Sequence, residues 1–188
     1  MKLEQLNKMF NDFGKYMVRQ SKANLTRAKK GGGPLYNSIK YNVKQNGTKV
    51  EFDFEMQEYG EFQDKGVQGY NPSNISPNAK IRGQQAPNSP YRFGSGTKAG
   101  SFNSFREKIS AWAQIKNIRF RDKKGRYSKG DYKSLGYVIA SNIYNRGIKP
   151  SYFYTKPFDK AFENLPDELF ESFAVDVDHG LTEQLNNK

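Results

Sequence analysis

Three groups of side chains in this sequence are of the types that do acid–base or metal chemistry. Glu51, Asp53 and Glu55 stand at alternate positions, Asp64-Lys65 lies inside the run EYGEFQDKGVQGYNP (58–72), and Asp122 and Asp131 are two further acids that could join Asp64. The first group alternates with Val50, Phe52 and Phe54, so it reads as the outward face of a strand whose other face is apolar. Three acids drawn from separate segments are what a metal-dependent nuclease gathers on its ion, but nothing in the spacing of Asp64, Asp122 and Asp131 brings them together. The acid–amine pair Asp64-Lys65 leaves one question open: whether residues 58–72 are the mouth of a pocket or an assembly surface.

The inventory narrows the chemistry further. There is no cysteine, and His179 is the single histidine. Cys-His arrangements, H-E-x-x-H helices, His-rich metal sites and cysteine zinc sites are therefore excluded. GGGP (31–34) has no following Lys-Ser/Thr and ends a helix where a phosphate loop would start one. The expectation is a chain that is not an enzyme, with no catalytic residue, no cofactor and no metal site. The absence of cysteine fits assembly in a reducing cytoplasm. The opening MKLEQLNKMFNDF is broken by charges and no apolar run approaches transmembrane length, so neither a secretory signal nor membrane contact is expected.

What remains is charge. The formal net charge is +12, unevenly placed. Residues 1–30 hold eight Lys/Arg against Glu4 and Asp12, and residues 116–133 hold eight against Asp122 and Asp131, which leaves about +6 in each block. Residues 159–188 hold eight acids against Lys160 and Lys188, about −6. Such asymmetry favours contact with a polyanion or head-to-tail contact between copies. Within the second block, Phe120 and Tyr127 interleave with Arg119, Arg121, Lys123, Lys124, Arg126 and Lys129, a composition suited to phosphate. These six cations are the candidate contacts to DNA or to an acidic partner.

The elements that must position these groups follow from periodicity. Leu3, Leu6, Phe10, Phe13 and Met17 recur every three or four residues, which predicts an amphipathic helix running to about Lys30. Asn46-Gly47 predicts a tight hairpin in which facing residues sum to 93, pairing Val43 with Val50, Tyr41 with Phe52 and Ile39 with Phe54. Residues 58–100 lose both periodicities and read as an extended loop ordered by neighbouring subunits, with SPYRFGSG (89–96) docking on its own or an adjacent copy. A second helix opens near Ser101 with Phe102, Phe105, Ile109 and Trp112 on its core side and Ser104-x-x-Glu107 as a capping box. Residues 119–131 form a basic loop or short hairpin. Asp131 then caps a third helix, Tyr132 to Arg146, with Leu135, Ile139 and Ile143 inward and Gly147 as its stop. Pro157 lies in the first turn of another helix, and the closing segment reads as helix, with a strand reading open for 172–178. The expectation is α+β: one domain over 1–188, a small antiparallel sheet with N-terminal and C-terminal helices packed against it, and a long loop insertion.

The strand ending in EYGEFQDKGVQG, the loop ending in NSPYRFGSG and the segment SLGYVIASNIYNRGIKPSYFYTKPFDKAFENLP together resemble the tail-completion, or neck, proteins of tailed bacteriophages. They are most similar to a branch found in phages of Bacteroidetes hosts, including crAss-like phages. The matching positions are Tyr59, Phe62, Asp64 and Gly66 at the strand end, then Gly147, Ile148, Phe153, Pro157 and Phe158 at the start of the closing helix. The likeness spans most of residues 36–170; the insertion at 68–100 and the basic loop depart from the shorter family pattern. It implies a structural virion protein, a head–tail joining or minor tail component, that assembles in the host cytoplasm into a homo-oligomeric ring between portal and tail. Its neighbours would be portal, neck or tail proteins, with packaged DNA as a further contact and no membrane. Asp64-Lys65-Gly66 then reads as a turn holding a strand end, and residues 58–72 as an assembly surface. The implied subunit-interface candidates are Tyr59, Phe62, Asp64, Gly66, Tyr91, Arg92, Phe93, Phe153 and Phe158. The alternative is a basic phage DNA-binding module; a small nuclease ranks last.

Overall fold

A computed structural model describes residues 3–47, 49–77, 79–95, 102–122, 124–128 and 130–186. The elements are α1 (Glu4–Arg27), α2 (Pro34–Ser38), β1 (Lys40–Asn46), β2 (Lys49–Glu55), α3 (Gly60–Lys65), β3 (Val67–Gln68), α4 (Phe102–Ile115), α5 (Tyr132–Arg146), β4 (Gly147–Ile148), α6 (Thr155–Phe162) and α7 (Leu165–Asn186), with a 3₁₀ turn at Pro72–Asn74. The class is α+β. The contacts divide the chain into two compact units, Met1–Asp64 with Ser151–Lys188, and Lys65–Pro150.

In the first unit α1 is the central element. Its apolar stripe buries Leu6, Phe13, Met17 and Leu25. Phe13 and Met17 pack with Leu165 of α7 and with Phe52 and Phe54 of the hairpin. About two turns further on, Leu25 packs with Leu35, Ile39 and Phe153. Gly14 sits in mid-helix at a helical cost of roughly 1 kcal/mol relative to alanine. The Tyr41 ring explains it, because a Cβ on Gly14 would stand 2.3 Å from that ring.

The hairpin forms, but in a different register from the one expected. Val43 faces Phe52, Asn42 faces Asp53 and Tyr41 faces Phe54, so facing residues sum to 95, and Asn46 pairs with Lys49 across the turn. The shift changes every pair yet keeps every face, because side chains alternate with period two and the sum moved by two. Phe52 and Phe54 still turn inward, while Glu51, Asp53 and Glu55 stay exposed. Phe52 lies within aromatic range of three rings, Phe10, Phe13 and Tyr41. Packing on α1 decided the register that the Asn-Gly signal alone set differently.

In the second unit α5 matches its expected span. Asp131 Oδ1 accepts the Ser134 amide at 2.7 Å, and the Gly147 amide closes the helix on the Ile143 carbonyl. The stretch 58–100 is more structured than a loop: it contains α3, β3 and the 3₁₀ turn. Within this unit Gln85 and Tyr70 donate backbone hydrogen bonds to the carbonyls of Arg146 and Tyr144, both at 2.9 Å. Trp112, expected in the core, is 45% exposed; Ala113 takes the buried place on α4. Ser104 lies inside α4 and not at its cap, and Ser101 is outside the described residues. Residues 172–178 are helical, within α7.

Candidate functional site

The residues that carry the resemblance make contacts within each unit. Short strand β3 pairs antiparallel with β4, Val67 opposite Ile148 and Gln68 opposite Gly147. Gly66, at φ +74°, has no room for a side chain: a Cβ there would meet the Ile148 carbonyl oxygen at 2.5 Å and the Pro150 nitrogen at 2.7 Å. Ser89 reinforces the corner by donating its hydroxyl to the Gly66 carbonyl at 2.8 Å.

Asp64 holds the matching corner in the first unit. It is 0% exposed. Helix α6 has no capping side chain of its own, since its cap position is Tyr154. The Asp64 carboxylate supplies the cap, accepting the amides of Tyr154 at 3.0 Å and Thr155 at 3.4 Å, together with the Thr155 hydroxyl. Its own carbonyl accepts the amides of Ser151 and Tyr152, both at 3.0 Å. A carboxylate at a helix N-terminus satisfies orphan amides and meets the positive end of the helix dipole. The Tyr154 hydroxyl is held above its ordinary pKa by burial first, then by the charges of Asp64 and Glu61. Asp64 is saturated by donors within its own chain, so its chemistry is structural.

The other interface candidates divide by exposure. Phe153 is buried in the core with Leu25 and Ile39, and its carbonyl accepts the Asn24 side chain at 3.1 Å. Asp64, Gly66 and Phe153 are thus taken off the surface. Tyr59, Phe62 and Phe158 remain exposed, Phe158 stacking on Phe162 with ring centroids 5.4 Å apart. Tyr91, Arg92 and Phe93 lie alongside β3: Gln68 donates to the Tyr91 carbonyl and accepts the Phe93 amide, at 2.8 and 3.0 Å. The Phe93 ring lies 5.3 Å from Tyr144 and 5.9 Å from Phe105. This segment docks within its own unit; Gly96 is outside the described residues.

The basic segment is a short hairpin, bridged at Arg121 and Tyr127. Asp122 organises its turn. One carboxylate oxygen accepts the amides of Lys124 and Arg126 at 2.9 Å, and the other accepts the Arg126 guanidinium at 3.0 Å. These bonds, the Arg126 amide first, hold the Asp122 carboxyl below its usual range. Arg121 lies over the Tyr127 ring at 4.6 Å and Arg119 at 5.8 Å, an arrangement that stiffens two cations without neutralising them. Arg119, Arg121, Lys124 and Arg126 are exposed; Lys123 and Lys129 are outside the described residues.

Asp176 is a buried acid that sequence reasoning missed. It is 2% exposed and accepts the amides of Gln5 and Leu6 at 3.0 Å, capping α1 from a position 170 residues away. Asp64, Asp122 and Asp131 are each engaged by their own set of amides. Among the described residues no three His, Cys, Asp or Glu form a metal-holding group, and no helix is long and apolar enough to cross a membrane. An open groove of about 640 Å³ beside α1 is lined by charges of both signs, among them Lys8, Asp12, Lys160, Glu168 and Glu171. Compared with models of protein families, with curated proteins and with solved structures, the chain matches none.

Proposed function

We propose that this chain is a structural subunit of a tailed-bacteriophage virion, one copy in a neck or connector ring at the head–tail interface. The observation that carries the reading is the meeting of the two motif segments. Within the second unit Val67 pairs with Ile148 and Gly66 lies against Ile148 and Pro150, and within the first unit the Asp64 carboxylate caps α6. In this reading the segments matter as a scaffold, and the exposed surfaces make the assembly. Asp64 binds amides of its own chain and is spent on structure, which supports an assembly role over a pocket role for residues 58–72. The opposite charges at 116–133 and 159–188 suit contact between successive copies.

Cryo-electron microscopy of the parent particle tests this. The expected image is a closed ring of this chain between portal and tail. A particle in which the chain sits as an isolated copy, or is absent, overturns the reading. One observation favours the second reading, a DNA-binding module: the exposed, cation-stacked hairpin at 119–128. Duplex binding by the purified chain that falls steeply with salt, in particles lacking any ring of this chain, would put that reading first.

A further inference from the structure

Helix α7 has two apolar sides, and among the described residues of its unit only one is packed. Leu165 and Asp176 face α1, the first in its core and the second on its N-terminal amides. The other side carries Phe170, Phe173, Val177 and Leu181, whose spacing of three and four residues places them on a single stripe. Phe170 is 70% exposed, and Phe173 and Leu181 are exposed as well. Asp167, Glu171 and Asp178 repeat the same spacing alongside it as an exposed acidic row. Among the described residues none of these three acids has an ion-pair partner.

The second unit carries a surface of the opposite kind. At the end of α4, Lys108, Trp112 and Ile115 share a face, and Ile115 is 81% exposed. Lys116, Arg119 and Arg121 follow directly, all exposed. Large apolar side chains left open in this way and rimmed by charge mark interaction surfaces.

We propose that these two surfaces are the halves of one contact between copies: the open stripe of α7 on one chain receives Trp112 and Ile115 of the next. The inference deepens the ring reading and rests on it. Charge selects the occupant. Pairing α7 with a second α7 sets acidic row against acidic row, and pairing two α4 ends sets cation against cation. Only the mixed pairing brings apolar surface together with opposite charges at its margin. A contact between two different surfaces propagates from copy to copy, as a ring requires.

Complementation between full-length variants tests it. One variant carries Phe170→Asp with Leu181→Asp, the other Trp112→Ser with Ile115→Asp; all four positions are exposed, so helical circular dichroism and the urea midpoint serve as fold controls. In sedimentation velocity at low salt the unsubstituted chain is expected to form species larger than a dimer, weakening as salt rises. Each variant alone is expected to associate roughly tenfold or more weakly. An equal mixture is expected to form a heterodimer that grows no further, since each partner keeps one intact surface. Variants that associate like the unsubstituted chain, or a mixture that fails to pair, overturn the contact while leaving a ring seen in the particle standing. An unsubstituted chain that stays monomeric overturns it too, and the particle image then judges the ring separately. Cross-linking of isotopically mixed chains covers the remaining occupant, because links between 115 and 170 found only within one chain would mean that α4 covers α7 of its own molecule.

Discussion

Asp64 and Asp176 each close the N-terminus of a helix that lacks a capping residue of its own, and each reaches it from far along the chain. Replacing Asp64 by alanine leaves the part-buried Tyr154 and Thr155 amides unpaired, so it is expected to cost about 1–3 kcal/mol. Urea melts measure the loss, and hydrogen exchange at those two amides locates it; unchanged exchange there would show that the cap is not what holds α6. Asp131 works locally, three residues from its partner Ser134, whose amide bond is the main cause of its lowered pKa. A carboxyl whose folded pKa is depressed stabilises fully above its unfolded value, about 3.9. That contribution is lost as pH falls through the folded value. The Ser134 amide resonance is therefore expected to move with a midpoint below the ordinary aspartate value; a midpoint at that value would refute the cap. The local cap was legible in the sequence because donor and acceptor are fixed by helix geometry. The two distant caps were not, since spacing along a chain says nothing about donors 90 or 170 residues away.

Among the elements, the hairpin shows how far a pattern reaches. Alternation of Val50, Phe52 and Phe54 with three acids set the faces, and the structure keeps them. Phe52→Asp is accordingly expected to unfold the first unit, because a carboxylate forced among Phe10, Phe13 and Tyr41 costs several kcal/mol, comparable with a whole stability margin. Glu51→Lys, on the solvent side, is expected to be nearly silent. Thermal melts separate the two, and equal losses would mean that the faces are wrong. Register is a different quantity. Nuclear Overhauser contacts between Val43 and Phe52 and between Asn42 and Asp53 are expected; contacts between Val43 and Val50 would restore the register set by Asn-Gly as the turn. The amphipathic stripe of α4 likewise named its core side correctly in Phe102 and Ile109, which are half-buried, and placed Trp112 wrongly because the buried face turns through Ala113.

For the molecule as a whole, the hairpin at 119–128 is expected to contribute charge and not stability. Changing Arg119, Arg121, Lys124 and Arg126 together to glutamine should leave helical circular dichroism intact and weaken binding to a polyanion most at low salt, each lost phosphate contact flattening the salt slope by about 0.9. Retention on heparin or duplex DNA across a salt series reads this directly, and an unchanged slope would make the hairpin a solvated turn. The sequence by itself determined the α+β class, the helix α1, the helix α5 with its ends, and which side of each strand is apolar, because these depend on neighbours within a turn or two. Tertiary structure alone decided the division into two units, the hairpin register, the burial of Asp64 and Asp176, and the exposure of Trp112, Ile115, Phe170 and Leu181. A periodic pattern states that a surface is apolar. Whether that surface is covered depends on a second element, and among the described residues those four side chains of α7 and the end of α4 stay exposed.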